Sequence, residues 1–167
     1  VTDFIEWAGE GKLKAFHVMG EDPILSEPNQ AKVIRYVENL EFLVVQEIFM
    51  SETARRADVI LPAACFAEKD GTFTNSERRV QRVRKAVEPP GEARPDWQII
   101  CDLSTAMGYE MDYHDASEIF DEMASLTPSY GGMSFERIDD VGLQWPCPTE
   151  DHPGTMFLHE GRFARGK

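Results

Sequence analysis

The sequence predicts an α/β protein with an open, mainly parallel, Rossmann-like sheet, flanking helices and an irregular connecting tail. Three short apolar segments, residues 14–19, 42–46 and 58–62, alternate with helix-like segments. The second segment is continuously apolar rather than apolar at every second position, which is typical of strands covered on both faces. Strands that alternate with helices through short connections form parallel sheets by right-handed crossovers.

The first half of the chain supplies the strands of this sheet. A helix over residues 2–8 precedes the first strand, which ends before Gly20. Asn29 caps the second helix, a short helix follows over 51–57, and Pro62 ends the third strand. The apolar residues of the second helix recur at helical spacing; they are Ala31, Val33, Ile34, Val37 and Leu40.

The second half predicts a hairpin and two helices. Residues 71–75 and 80–84 have the pattern of extended arms in an irregular hairpin. Pro95 lies in the first turn of an amphipathic helix that ends at Gly108. A further helix carries an apolar stripe of Ala116, Ile119, Phe120, Met123 and Leu126.

Glycines and prolines interrupt the chain every few residues from Tyr130 onward, so we expect this tail to connect rather than to form a core. We expect an α/β domain over residues 1–113, and a helix with a Pro/Gly-rich linker over 114–167. The chain opens in a helix and stops without a terminating element, which suggests a piece of a longer protein.

Composition excludes several classes of protein. The 167 residues contain 17 Lys plus Arg against 30 Asp plus Glu, a formal charge of −13, whereas nucleic-acid binders are basic. No apolar run approaches the roughly 18 residues that a membrane span needs. Nucleic acid and membrane insertion are therefore not expected.

The three cysteines, Cys65, Cys101 and Cys147, are widely spaced and contain no CxxC pair. This pattern supports neither a disulfide framework nor an iron–sulfur or zinc site within the chain. A reducing compartment, the cytoplasm, is the expected location.

Polar residues and glycine follow the predicted strands where ligands bind in open α/β sheets. Gly20 would let a ligand approach the backbone, and Asp22 could accept two N–H bonds from one edge of a purine. Gln46 and Ala63 follow the other two strands at the same edge. The alternatives are a solvated Gly-Asp-Pro turn and a glutamine that only caps the next helix.

Five basic residues form the one strongly basic patch of the sequence, and they would fall on both faces of a strand. We expect at least one to meet an anion or another part of the protein; the alternative is an edge strand protected by charge. The five are Arg78, Arg79, Arg82, Arg84 and Lys85.

No catalytic or metal-binding set is present. The histidines lack metal-ligand spacing, and His17 within a strand is expected to be a core residue. No serine occupies a nucleophile elbow and no acid pair forms an acid–base dyad.

Several motifs, taken in order, resemble the molybdopterin oxidoreductase family. They are HVMGEDP at 17–23, VVQEIFMSETA at 44–54, ADVILP at 57–62, GTFTNSERRVQ at 71–81 and RPDWQII at 94–100. The tail motifs QWPCP at 144–148 and HPGT at 152–155 are similar to formate dehydrogenase alpha subunits within that family.

The resemblance implies a large enzyme that oxidises formate to carbon dioxide. Such an enzyme holds molybdenum or tungsten between two molybdopterin guanine dinucleotides, beside a 4Fe-4S cluster that would lie outside this chain. The metal ligand, active-site arginine and cluster cysteines of the family have no counterpart here, so we expect the isolated segment to be inactive.

Position by position, the resemblance assigns the nucleotide end of one cofactor to Gly20, Asp22, Ser26, Gln46, Ala63 and Asp96. It implies as partners the other domains of the alpha subunit and the electron-transfer subunits of the complex. Two alternatives stay open: a nitrate reductase-like member of the same family, and a non-catalytic structural module of a redox complex.

Overall fold

The computed structural model describes residues 2–161, 163 and 165–166, and it has the predicted α/β class. The helices are α1 (Thr2–Gly9), α2 (Pro23–Ser26), α3 (Gln30–Val37), α4 (Asp96–Ala106) and α5 (Ala116–Leu126). The strands are β1 (Ala15–Met19), β2 (Phe42–Glu47), β3 (Val59–Pro62), β4 (Gly71–Thr74), β5 (Arg79–Val83) and β6 (Leu143–Gln144).

The contacts divide the chain into two compact units. The first unit comprises the described residues of Val1–Cys65 together with Pro89–Asp102. The second comprises Phe66–Glu88 and the described residues of Leu103–Lys167. This grouping differs from the domains expected over 1–113 and 114–167, which remain a prediction about the longer protein.

The first unit is built on a parallel sheet in the order β1-β2-β3. Its core is aliphatic because the apolar strands face the apolar stripes of α1 and α3. Val45, in the central strand, is 0% exposed. The core cluster contains Ile5, Val18, Ile24, Val33, Val37, Leu43, Val45 and Ala54. The predicted parallel sheet with flanking helices is confirmed.

Local details of the first unit differ from the prediction. The helix expected over 51–57 is a single 3-10 turn, Ala54–Arg56. A one-turn helix, α2, follows Asp22 because Pro23 at its first position preorganises the backbone. His17 is exposed on the edge strand β1, so its expected place in the core is wrong.

The second unit contains an antiparallel sheet in the order β4-β5-β6. The tail is irregular, as predicted, but the expectation that it carries no core is wrong. Met133, Ile138 and Cys147 are buried around Val80 and Phe120. A segment with little regular backbone therefore forms a core by side-chain packing.

The basic patch is paired within the second unit. Arg78 donates to the carbonyl oxygens of Trp145, Thr155 and Met156. Arg82 and Arg84 contact the Asp139 carboxylate. Arg78, Arg82 and Arg84 therefore have partners within the protein, and their presence in the sequence does not require an anionic ligand.

Within the described residues, no helix is both long enough and apolar enough to span a bilayer.

Candidate functional site at the strand ends of the first unit

The carboxyl ends of the three parallel strands lie level with one another. Met19 pairs with Gln46, and Gln46 pairs with Leu61 on its other side. The pairing continues past the strands, since the Gly20 amide donates to the Gln46 carbonyl at 2.9 Å and the Ala63 amide donates to the Glu47 carbonyl at 3.1 Å. Strand register therefore brings the predicted Gly20, Gln46 and Ala63 to one edge.

Asp96 reaches the same edge after the chain leaves and returns. Arg94 forms a parallel bridge with Ala63: its amide donates to the Pro62 carbonyl at 3.1 Å, and its carbonyl accepts from Ala64 at 2.8 Å. This bridge places Asp96, the first residue of α4, beside β2. A residue fifty positions from Gln46 in sequence thus becomes its neighbour.

Gln46 and Asp96 form a direct hydrogen bond. Gln46 is 0% exposed, and its Nε2 donates to Asp96 Oδ1 at 2.8 Å. The carboxylate fixes which way the amide faces, because an amide oxygen in that position would oppose another acceptor. Gln46 Oε1 is then left buried without a hydrogen-bond partner among the described residues.

An unpaired buried acceptor costs about 1–3 kcal/mol, so a donor at this position would be stabilising. Ribose hydroxyls and the N–H edge of guanine are donors of this kind. The orphaned Gln46 Oε1 therefore fits the nucleotide end of the implied cofactor.

Gly20 leaves room at this edge. It has φ +64°, a conformation that favours glycine, and a Cβ there would meet no heavy atom within 4 Å. Ala63 is buried and offers only its methyl group and backbone. Ser26 ends α2 and is exposed. The structure thus joins Gln46 to Asp96 and leaves Ser26 at the periphery.

The Asp22 carboxylate is occupied by the loop that follows β2. Its Oδ1 accepts from the Thr53 hydroxyl at 2.5 Å and from the Thr53 amide at 3.1 Å. Its Oδ2 accepts from the Glu52 amide at 3.0 Å. Burial raises the pKa of Asp22, but the Thr53 hydroxyl and these backbone amides outweigh it, so the pKa lies below its ordinary value.

Thr53 is a residue at this edge that the sequence reasoning did not assign. It is 0% exposed, and its hydroxyl also accepts from the Ile24 amide at 3.3 Å. The sequence showed it only as part of a family motif, with no spacing that marks a site. Its partners, Asp22 and Ile24, lie about thirty residues away in sequence.

Comparison with known proteins agrees with this architecture. The fold is similar to that of acetylene hydratase from Pelobacter acetylenicus, with a TM-score of 0.70 over 96% of this chain and 21% of that one, at 23% identity. That likeness concerns the fold alone.

Curated relatives are closer in sequence. The chain is 56% identical over 160 residues to the F420-dependent formate dehydrogenase 2 subunit alpha of Methanococcus maripaludis, covering 95% of this chain and 24% of the relative. It is 41% identical over 166 residues to formate dehydrogenase H of Escherichia coli, covering 98% and 23%. The chain therefore spans about a quarter of the length of these relatives.

The family comparison covers the first unit and beyond. The Molybdopterin oxidoreductase family matches residues 2–106, which is more than half of the chain. Together with the strand-end geometry and the close relatives, this match shows that the chain belongs to the molybdopterin oxidoreductase family.

Proposed function

We propose that this chain is the part of a formate dehydrogenase alpha subunit that binds the nucleotide end of a molybdopterin guanine dinucleotide. The similarity to formate dehydrogenases at 41% to 56% identity supports the enzyme class. The binding role rests on Gln46, whose Nε2 donates to Asp96 while its buried Oε1 has no hydrogen-bond donor among the described residues.

The residues of this chain bind and orient the cofactor rather than react. Gln46 accepts a hydrogen bond from the nucleotide, and Asp96 keeps the amide turned so that Oε1 is available. Gly20 leaves space for the ligand to approach the backbone, and Ala63 contributes a non-polar contact. When bound, the metal–pterin cofactor supplies the two-electron chemistry of formate oxidation.

The remaining components lie in the proposed longer protein. We propose that other domains of the alpha subunit bind the molybdenum or tungsten ion, the second dinucleotide and the 4Fe-4S cluster. Electron-transfer subunits then accept the electrons. Among the described residues the three cysteines form no disulfide, which fits the cytoplasm as the proposed location.

The test uses the full-length polypeptide that contains this chain, purified with its cofactor and hydrolysed to release GMP. Gln46→Met removes the amide at similar volume. We expect GMP-bearing cofactor to dissociate about tenfold to a hundredfold faster, because a hydrogen bond and the partner of Asp96 are lost. Gln81→Met, at an exposed glutamine of β5, is the matched control.

Retention of GMP by Gln46→Met at the control rate would contradict the binding role. Formate-dependent reduction of an artificial electron acceptor by the wild-type protein tests the enzyme class. Reduction of nitrate in place of formate oxidation would favour the nitrate reductase-like alternative. A purified protein with neither GMP nor metal would favour the structural module.

A further inference from the structure

Thr53 makes three hydrogen bonds that join two of the strand-end loops. Its hydroxyl donates to Asp22 Oδ1 at 2.5 Å and accepts from the Ile24 amide at 3.3 Å. Its own amide donates to the same Asp22 oxygen at 3.1 Å. Thr53 is completely buried, so its hydroxyl is held away from water, whereas Asp22 is partly exposed.

The hydrogen bonds leave Asp22 little capacity for a ligand. Each carboxylate oxygen has two acceptor positions. Oδ1 uses both on Thr53, whereas Oδ2 uses one on the Glu52 amide. Asp22 can therefore accept one further hydrogen bond, through Oδ2, and cannot accept two N–H bonds from a purine edge with both oxygens in this arrangement.

Thr53 also holds the start of α2. The Ile24 amide belongs to the first turn of that helix, where backbone amides have no partner within the helix. The Thr53 hydroxyl supplies that partner from the loop after β2. One buried side chain thus fixes both the Asp22 carboxylate and the backbone that follows it.

We infer that Thr53 is a positioning residue for the nucleotide site, which orients Asp22 so that Oδ2 alone accepts a single N–H or O–H donor of the bound nucleotide. The inference rests on the proposed function and adds to it a residue and a hydrogen-bond pattern. Removal of the Thr53 hydroxyl frees one of the two acceptor positions of Oδ1 and releases the Ile24 amide, so the carboxylate is held less firmly, by the Thr53 and Glu52 amides alone.

The experiment uses the cofactor-loaded, full-length polypeptide that contains this chain. Thr53→Val removes the hydroxyl at nearly equal volume, and Thr53→Ala removes it without the bulk of a second methyl group. Thr53→Ser keeps the hydroxyl. Val37→Ala opens the core of the same unit from α3 and serves as the stability-matched control.

The readouts are GMP released by hydrolysis per polypeptide, the rate at which GMP-bearing cofactor dissociates, and the melting temperature of each variant. We expect cofactor to dissociate about tenfold faster from Thr53→Val and Thr53→Ala, the effect of one well-placed hydrogen bond. Thr53→Ser and Val37→Ala should stay within about twofold of the wild type, since neither removes the hydroxyl.

Different failures have different meanings. A wild-type protein without GMP would overturn the proposed function and, with it, this inference. If the wild-type protein holds GMP and both Thr53→Val and Thr53→Ala hold it equally firmly, the inference alone is overturned. Equal losses from Thr53→Ser and Thr53→Val, or from Val37→Ala at the same melting temperature, would likewise contradict a role for the hydroxyl.

Discussion

The two units of this chain are stabilised in different ways. The first unit is held by hydrogen bonds between parallel strands and within helices, and its buried core consists of aliphatic side chains. The second unit has short antiparallel strands and a long irregular tail, and its core mixes aromatic rings, Met133 and Cys147. The comparison shows how an irregular segment provides hydrogen-bond donors for its backbone carbonyl groups.

In the second unit, arginine side chains donate hydrogen bonds to these carbonyl groups. Arg137 donates to the carbonyl oxygens of Gly132, Thr149 and His152, and its Nη1 lies 3.5 Å from Cys147 Sγ. Arg78 binds three further carbonyls of the tail. A guanidinium has five donors in a rigid plane, so one side chain can replace several backbone hydrogen bonds.

Arg137→Leu provides the strongest test of this difference. The substitution removes the charged donor from the Gly132 and His152 carbonyls, whereas the Thr149 carbonyl keeps the His152 amide as a donor. We expect a loss of about 3–5 kcal/mol in the free energy of unfolding, because both lost hydrogen bonds are made by a charged group. Hydrogen exchange measured by mass spectrometry should show the loss of protection in the tail and β6.

Arg84→Leu is the control in the same unit, because Arg84 is largely exposed and pairs with Asp139 at the surface. It should cost at most about 1 kcal/mol. Equal effects of the two substitutions would mean that the arginine–carbonyl bonds do not stabilise the second unit.

Alanine substitutions at one glycine in each unit compare how closely the two units are packed. A Cβ at Gly132 would lie 2.0 Å from the Thr149 carbonyl oxygen, a main-chain atom, so Gly132→Ala should destabilise the second unit by about 3 kcal/mol. A Cβ at Gly20 in the first unit would meet no heavy atom within 4 Å, so Gly20→Ala adds only the backbone strain of φ +64°. We expect it to lower the free energy of unfolding by about 1–2 kcal/mol.

Thermal unfolding followed by segment-resolved hydrogen exchange measures both substitutions. A Gly132→Ala variant as stable as Gly20→Ala would show that the tail packs less closely against itself than the structure indicates.

The smallest expected effect is the loss of stability at low pH. The pKa of Asp22 is lowered in the folded state, so its contribution to stability is present above the ordinary aspartate pKa of 3.8 and is lost as pH falls through the folded pKa. The pKa of Glu77 in the second unit is also lowered, by hydrogen bonds from Asn75 and Arg79.

We therefore expect both units to lose stability as the pH falls below about 4. Asp22→Asn should flatten this dependence in the first unit only, and Glu77→Gln in the second only. Urea unfolding at pH 3 to 7, with exchange measured in each unit, tests this. An unchanged acid dependence in Asp22→Asn would contradict the hydrogen bonds assigned to its carboxylate.

Much of the first unit could be predicted because its segments carry their structure locally. The apolar runs of β1, β2 and β3 and the Asn29 cap of α3 follow from neighbouring residues. The strand-end edge also followed, because parallel strands align their carboxyl ends. The assignment of Asp22 to the nucleotide end of the cofactor stays a prediction, and Thr53 was missed because its partners are remote in sequence.

The sequence by itself determined the fold class, the order of the strands along the chain and the edge of the sheet at which Gly20, Gln46 and Ala63 meet, because apolar patterning and chain direction are local properties. Only the tertiary structure decided that Asp96 returns to Gln46, that Thr53 holds Asp22, and that the tail forms a core around Cys147. These contacts join residues far apart in the chain, and their energies depend on burial and hydrogen-bond geometry that no local pattern specifies.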